Sequence, residues 1–254
     1  LSHILTDVSE GVMTLTLNRP EKKNALTVEM YHRLADGLVQ ADRADDVRVV
    51  VLLAAGDSFT VGNDIGDFAR FNQASGTQDG LSGVQRFLEG LARLKTPLVA
   101  GVRGHAVGLG TTLLLHCDLV YVAQDARLAT PFVDLGLAPE AASSLLLPAR
   151  IGHVRAFQTL VLGQPISGSQ AAEWGLANAA LPAAEVDAAA RAAAQALAVR
   201  PHASVLASRA LLKSADAVLQ RMAEENVVFA ERLRSPEAQA AFRAFAERGR
   251  VAAT

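Results

Sequence analysis

Gly101-Val102-Arg103-Gly104-His105-Ala106-Val107-Gly108-Leu109-Gly110-Thr111-Thr112-Leu113-Leu114-Leu115-His116-Cys117-Asp118 joins two apolar runs, 97–102 before it and 118–123 after it. Each run reads as a strand, and the glycine-rich turn 104–108 leads into a helix over 108–116. Strand, helix and strand in this order require a crossover connection, which makes the sheet mostly parallel and the fold class α/β.

Upstream, 4–8 and 12–17 read as two strands joined by Ser9-Glu10-Gly11, a hairpin. Asn18-Arg19-Pro20-Glu21-Lys22-Lys23-Asn24 interrupts regular structure. Thr27 then opens a helix with Met30, Leu34 and Leu38 on one face, and the β-branched run 47–53 reads as a buried strand. Residues 59–65 read as a short strand-like segment around a tight turn at Gly62-Asn63, 73–83 as a mobile loop, and 81–94 as a helix. Downstream of Glu140 the pattern is helical at 141–149, 154–162, 169–175, 185–199 and 202–247, with 177–181 returning to the sheet. Such Ala- and Leu-rich helices commonly bury a face against a neighbouring subunit, so a homo-oligomer is expected.

Half of the 254 residues are apolar and a fifth are charged, enough for one large aliphatic core. The formal net charge of −2, with Lys and Arg scattered, argues against nucleic acid as a partner. The apolar runs are too short or too glycine-interrupted to span a bilayer, and Cys117 is the single cysteine. A cytoplasmic location follows as the expectation. The six histidines lack ligand spacing, so no metal is expected.

Two turns carry candidate chemistry. The Asn63 amide follows Gly62, and the Leu109 amide lies among the orphan donors at the start of the 108–116 helix. Converging amides of this kind form an oxyanion hole, whereas spacing alone favours reading both as ordinary strand-to-loop and strand-to-helix turns. A dinucleotide fingerprint fails because its third glycine falls at Leu113, and neither a P-loop lysine nor a Gly-x-Ser-x-Gly elbow is present. His116 closes a helix, where a cation favours the dipole; Pro139-Glu140 falls at a first helical turn, where an acid does. His105 is assigned no role.

Taken in order, Asn18-Arg19-Pro20 with Asn24-Ala25-Leu26, then 59–65, then 101–118 resemble the crotonase (enoyl-CoA hydratase/isomerase) family over nearly the whole chain. The resemblance implies a spiral of strand-strand-helix repeats over 1–195 and a C-terminal helical trimerisation region over 196–254. It implies a homotrimer or dimer of trimers, an acyl-CoA thioester as substrate, coenzyme A only as part of that substrate, and no prosthetic group. The amides of Asn63 and Leu109 become the enolate-stabilising pair. Typical hydratases of the family carry two glutamates, and the matching positions here are Thr112 and Phe132, neither of which is an acid or base.

Leu137-Ala138-Pro139-Glu140-Ala141-Ala142-Ser143-Ser144 is instead similar to the peroxisomal-type 3-enoyl to 2-enoyl-CoA isomerases. That likeness makes Glu140 a single proton shuttle between C2 and C4, with its pKa raised by burial among Leu137, Leu145 and Leu146. Asp134 is the second-choice carboxylate. For coenzyme A, the resemblance points to Arg19, Lys22, Lys23 and Ala25, to Val61, Asp64 and Ile65 along the adenine, and to Phe245 and Arg248 reaching a neighbouring subunit's site. The loop 71–83 is expected to shape the acyl pocket. The alternatives are an enoyl-CoA hydratase or another reaction of this fold, and a non-catalytic acyl-CoA-binding protein.

Overall fold

The structure, a computed structural model, describes residues 2–64 and 78–251, with side chains described for 2–64 and 83–244. Strands β1 (Ile4–Ser9) and β2 (Val12–Leu17) form the expected antiparallel hairpin. Glu10 and Gly11 close it with φ of 52° and 80°, the left-handed pair whose twist suits the flanking strands. The Thr27 side chain accepts a hydrogen bond from the Met30 amide and caps α1 (Val28–Arg43), whose Met30, Leu34 and Leu38 are buried as their spacing predicts.

Strand β3 (Val49–Ala54) is buried at every position. Helix α2 (Gln78–Arg93) packs along α1, with the Tyr31 and Phe87 rings 5.8 Å apart between centroids. It begins within the stretch expected to be a loop; the remainder of that stretch, 73–77, and Ile65 lie outside the described residues. Strand β4 (Leu98–Val102), β5 (His105–Val107) and α3 (Leu109–Thr112) follow, and α3 tightens into the 3-10 turn Leu113–His116. The expected glycine-rich turn therefore contains a strand of its own.

Strands β6 (Leu119–Ala123) and β7 (Arg127–Ala129) precede α4 (Ser143–Ile151) and α5 (His153–Leu160). After β8 (Ile166–Ser167) and α6 (Gly168–Glu173), β9 (Ala179–Leu181) rejoins the sheet. Helices α7 (Val186–Ala198), α8 (His202–Leu212), α9 (Ala215–Leu233) and α10 (Pro236–Val251) complete the chain. The segment expected to be helical throughout 202–247 is thus three helices. Ser214 makes one of the breaks, turning its side chain to accept from the Ala217 amide as the cap of α9.

The larger sheet has the order β1-β2-β3-β4-β6-β9, parallel throughout after the opening hairpin. Alternate residues of β3 feed two cores. Val50, Leu52 and Ala54 face the one containing α1 and α2, while Val49, Val51 and Leu53 face Ala190, Ala194 and Ala198 of α7. Burial on both faces explains why β3 reads as a continuous apolar run.

A smaller sheet joins β5, β7 and β8, and isolated parallel bridges extend the same stacking to Thr60–Ala106 and Leu26–Asn63. Residues 59–64 therefore contribute bridges and no strand. Each of β2, β3, β4 and β6 is followed by a segment stacked on this second layer and then by helix, which is the repeat of a spiral. No helix among the described residues is long and apolar enough to cross a membrane.

Candidate active site

The two candidate turns are held side by side by backbone pairing. Thr60 N donates to His105 O at 3.0 Å and Val107 N donates to Thr60 O at 3.0 Å, so Thr60 and Ala106 run in register. Asn63 and Leu109 each lie three residues beyond that pair. Glycine permits the approach: a Cβ on Gly62 (φ 84°) would sit 2.7 Å from Val107 O, and one on Gly110 would sit 2.7 Å from Thr60 Cγ2. Among the described residues no acceptor serves the Asn63 or the Leu109 amide. The neighbouring groups are committed, with Leu26 N bound to Gly62 O at 2.8 Å and Asp64 N to Leu26 O at 2.9 Å. These bonds fix the backbone on both sides of the Asn63 N–H.

Glu140 reaches this region from the other side of the chain. It is 8% exposed, and it does not occupy the first turn of a helix as the sequence leads one to expect. Helix α4 begins at Ser143, and the two residues between are left-handed, Ala141 at φ 60° and Ala142 at φ 55°. Two successive left-handed alanines cannot be foreseen from composition, because alanine ordinarily continues a helix. Burial pushes the Glu140 carboxyl up to about 7, and the nearby Glu225 carboxylate pushes in the same direction. No described residue hydrogen-bonds its side chain.

Tyr31 binds the side chain of Asn63 and feels the charge of Glu140. Its hydroxyl donates to the Asn63 side-chain carbonyl, and its pKa is raised well above the ordinary value by burial and then by the Glu140 charge. Tyr31, Asn63 and Glu140 therefore share one electrostatic neighbourhood. Sequence reasoning passed over Tyr31, which reads only as one more large residue on the apolar face of α1. It also passed over Glu225, although a signal existed: Val218, Met222 and Glu225 fall on the single buried stripe of α9, where an acid is out of place.

His116 is not the dipole-stabilising cation expected. Burial, helped by the Lys213 cation, lowers its pKa to about 3, so the ring is neutral. Its Nε2 donates to Ala141 O at 2.8 Å, gripping the left-handed turn after Glu140. Cys117 is buried, with its thiol pushed up to about 12, mainly by burial.

Thr112 and Phe132, in the positions where hydratases carry glutamates, are 1% and 5% exposed. The Thr112 hydroxyl has no partner among the described residues. Asp134 is exposed on the 3-10 turn Val133–Leu135, away from the burial that distinguishes Glu140.

Arg19 is committed within the protein, its Nη1 donating to Asp64 Oδ2 at 2.7 Å and to Ala25 O at 3.0 Å. Lys22 and Lys23 are exposed beside it, and Lys23 O accepts from Val61 N at 3.2 Å. The structure thus gathers Arg19, Lys22, Lys23, Ala25, Val61 and Asp64 along one edge. Ile65 lies outside the described residues, as do the side chains of Phe245 and Arg248 on α10.

The profile of the family described as "Enoyl-CoA hydratase/isomerase" matches residues 7–252. The chain is 39% identical over 180 residues to 1,2-epoxyphenylacetyl-CoA isomerase of Escherichia coli K12, spanning 69% of this chain and 68% of that protein. It is 36% identical over 184 residues to enoyl-CoA delta isomerase 2 of Rattus norvegicus, spanning 70% of this chain and 46% of that protein. Among solved structures, Pseudomonas aeruginosa OdaA is similar with a TM-score of 0.90 and 47% identity, over 96% of this chain and 99% of that one. An enoyl-CoA hydratase/isomerase from Pseudoalteromonas atlantica T6c gives a TM-score of 0.91 and 38% identity over 97% and 98% of the two chains. With the stacked parallel layers and the two glycine-lined turns in place, the chain belongs to the enoyl-CoA hydratase/isomerase family, and it is an enzyme of the crotonase superfamily.

Proposed function

We propose that this enzyme isomerises 3-enoyl-CoA to 2-enoyl-CoA, with Glu140 as the single proton shuttle and the Asn63 and Leu109 amides as the enolate donors. The observation that carries the reading is the buried carboxyl of Glu140, without a hydrogen-bond partner among the described residues and raised to about 7, in the same neighbourhood as the Asn63 turn. Moving the double bond requires removal of a C2 proton, delocalisation of the electron pair onto the thioester oxygen, and return of the proton at C4. One carboxylate performs both transfers when its proton affinity lies near neutrality. Among the described residues no acceptor serves either N–H group, which supports their binding the oxyanion, and each such donor typically contributes a factor of about 100 to 1000 in rate.

Coenzyme A is assigned to the edge formed by Arg19, Lys22, Lys23, Ala25, Val61 and Asp64, and to Ile65, which follows them in the sequence. Its phosphates face the exposed lysines, since Arg19 is engaged with Asp64. Phe245 and Arg248 are assigned to the coenzyme site of a neighbouring subunit. Hydration of 2-enoyl-CoA is the second reading, favoured by the unpartnered Thr112 hydroxyl, a group able to hold a water in a buried site. Its weakness is the absence of a carboxylate at Thr112 and Phe132.

The test follows ultraviolet absorbance of the conjugated thioester with 3-hexenoyl-CoA and 2-hexenoyl-CoA supplied separately. A gain of conjugation from the first establishes the isomerase; loss of conjugation from the second, with the hydroxyacyl product confirmed, establishes the hydratase. Glu140→Gln is expected to lower isomerisation by about 100- to 10,000-fold while sparing thioester binding. Retained turnover in that variant removes Glu140 as the base.

A further inference from the structure

We propose that Glu225, on α9, is a positioning residue for the reaction: its carboxylate clamps the left-handed turn that aims Glu140 and places a second negative charge beside it. The inference rests on Glu140 being the base. Glu225 Oε2 accepts from Ala142 N at 2.6 Å, and Oε1 accepts from Ser144 N at 2.9 Å and Ser144 Oγ at 2.6 Å. Three donors converge on one carboxylate that is 7% exposed. They hold the segment whose first residue is Glu140.

That segment does not hold itself. Ala141 and Ala142 are left-handed without glycine's freedom, at roughly 1–2 kcal/mol for each residue. Such a conformation persists only where its surroundings over-determine it. The surroundings here are Glu225 on one side, His116 Nε2 on Ala141 O at 2.8 Å on the other, and Ser143 N on Glu140 O at 3.0 Å. An ordinary exposed cap would suffice to start α4. A buried acid on the apolar stripe of α9, between two packed helices, is an expensive substitute for a cap and calls for another use.

The use lies in the pairing of the two carboxyls. Glu225 has three hydrogen-bond donors and Glu140 has none among the described residues, so of the pair Glu140 is the member that takes up the proton. The other titratable groups facing them leave this division intact. Tyr31 from α1 stays protonated and His116 stays neutral. Arg221 from α9 is bound to Glu224 at 3.0 Å and reaches Ser144 Oγ at 3.5 Å. The first turn of α4 carries no acid of its own.

The experiment is the pH profile of kcat/KM for 3-hexenoyl-CoA in the parent enzyme, Glu225→Gln and Glu225→Asp. Glu225→Gln removes the charge with the shape retained; its midpoint is expected to fall by about one pH unit, with KM within threefold of the parent. An unchanged midpoint overturns the proposal, because a purely structural clamp leaves the titration of Glu140 where it was. Should Glu225→Gln fail to fold, Glu225→Asp decides, since it keeps the charge but cannot reach both Ala142 and Ser144. A kcat reduced at least tenfold with KM within threefold supports the clamp, and a parental kcat overturns it. Turnover retained by Glu140→Gln instead overturns the base assignment, a different result in a different variant.

Discussion

At the residue scale, Glu140 links activity to stability. Its carboxyl ordinarily titrates at 4.5 and here does so at about 7, so the folded state holds a proton that the unfolded chain has already released between those values. Stability from this group is therefore fully present below about 4.5 and is lost as pH rises through about 7. The loss amounts to about 3 kcal/mol as an upper figure. Glu140→Gln, neutral at every pH, is expected to be more stable than the parent by up to that amount at pH 8 and to gain almost nothing at pH 4, as read by urea denaturation at the two values. Activity moves oppositely, because the base must be ionised to take the C2 proton. In the parent enzyme kcat/KM should climb with pH and level off above about 7. The neighbouring motif made Glu140 a candidate in the sequence, but spacing alone placed it in a helical first turn; the left-handed Ala141 and Ala142 have no local signal.

At the scale of elements, the order of strands and helices was legible because the helices repeat their buried face every three to four residues and the central strands, buried on both faces, stand out as short apolar runs. Residues 47–53, 97–102 and 118–123 read as strands and are strands within two residues of their observed limits. What spacing missed was β5, too brief to show a period, while 59–65, read as strand-like, contributes only the bridges at Thr60 and Asn63 that pairing with neighbours supplies. The attachment of the C-terminal helices was equally hidden. Arg209 of α8 binds Asp118 Oδ2 through Nε at 2.8 Å and caps Leu94 O through Nη1, while Lys213 Nζ reaches Leu91 O at 2.9 Å. Asp118 Oδ2 also accepts from Leu98 N at 2.8 Å, so the cluster joins α8 to the ends of α2 and β4. Arg209→Ala leaves the partly exposed Asp118 carboxylate without its cation and Leu94 O without its donor. It should lower the unfolding free energy by about 1–2 kcal/mol in urea titration.

For the whole molecule, the surface of the C-terminal helices carries the next question. Val199, Leu211 and Leu212 are 80%, 90% and 88% exposed, beside an apolar recess of about 420 Å³ lined in part by Leu119, Leu197 and Val205. None of the residues lining it belongs to the Asn63, Leu109 and Glu140 constellation, so it is separate from the candidate active site. We propose that a second copy of the chain covers this surface in a homotrimer or dimer of trimers. Leu211→Asp with Leu212→Asp should then shift sedimentation equilibrium toward the monomer, whereas an unchanged mass would place the interface elsewhere. Because Phe245 and Arg248 are assigned to a neighbour's coenzyme site, the dissociated variant should also show a raised KM for the thioester.

The amino-acid sequence by itself determined the α/β class, the parallel sheet, the hairpin and the ordered motifs that mark the family, because these depend on periodicity and on residues close together in the chain. It also put Asn63, Leu109 and Glu140 forward as candidates. Only the tertiary structure decided that the two amide turns lie in register, that Tyr31 binds the Asn63 side chain within range of the Glu140 charge, and that Glu225 holds the turn after Glu140. Burial and the convergence of distant segments set the charge state of a carboxyl, and neither is written in the spacing around it.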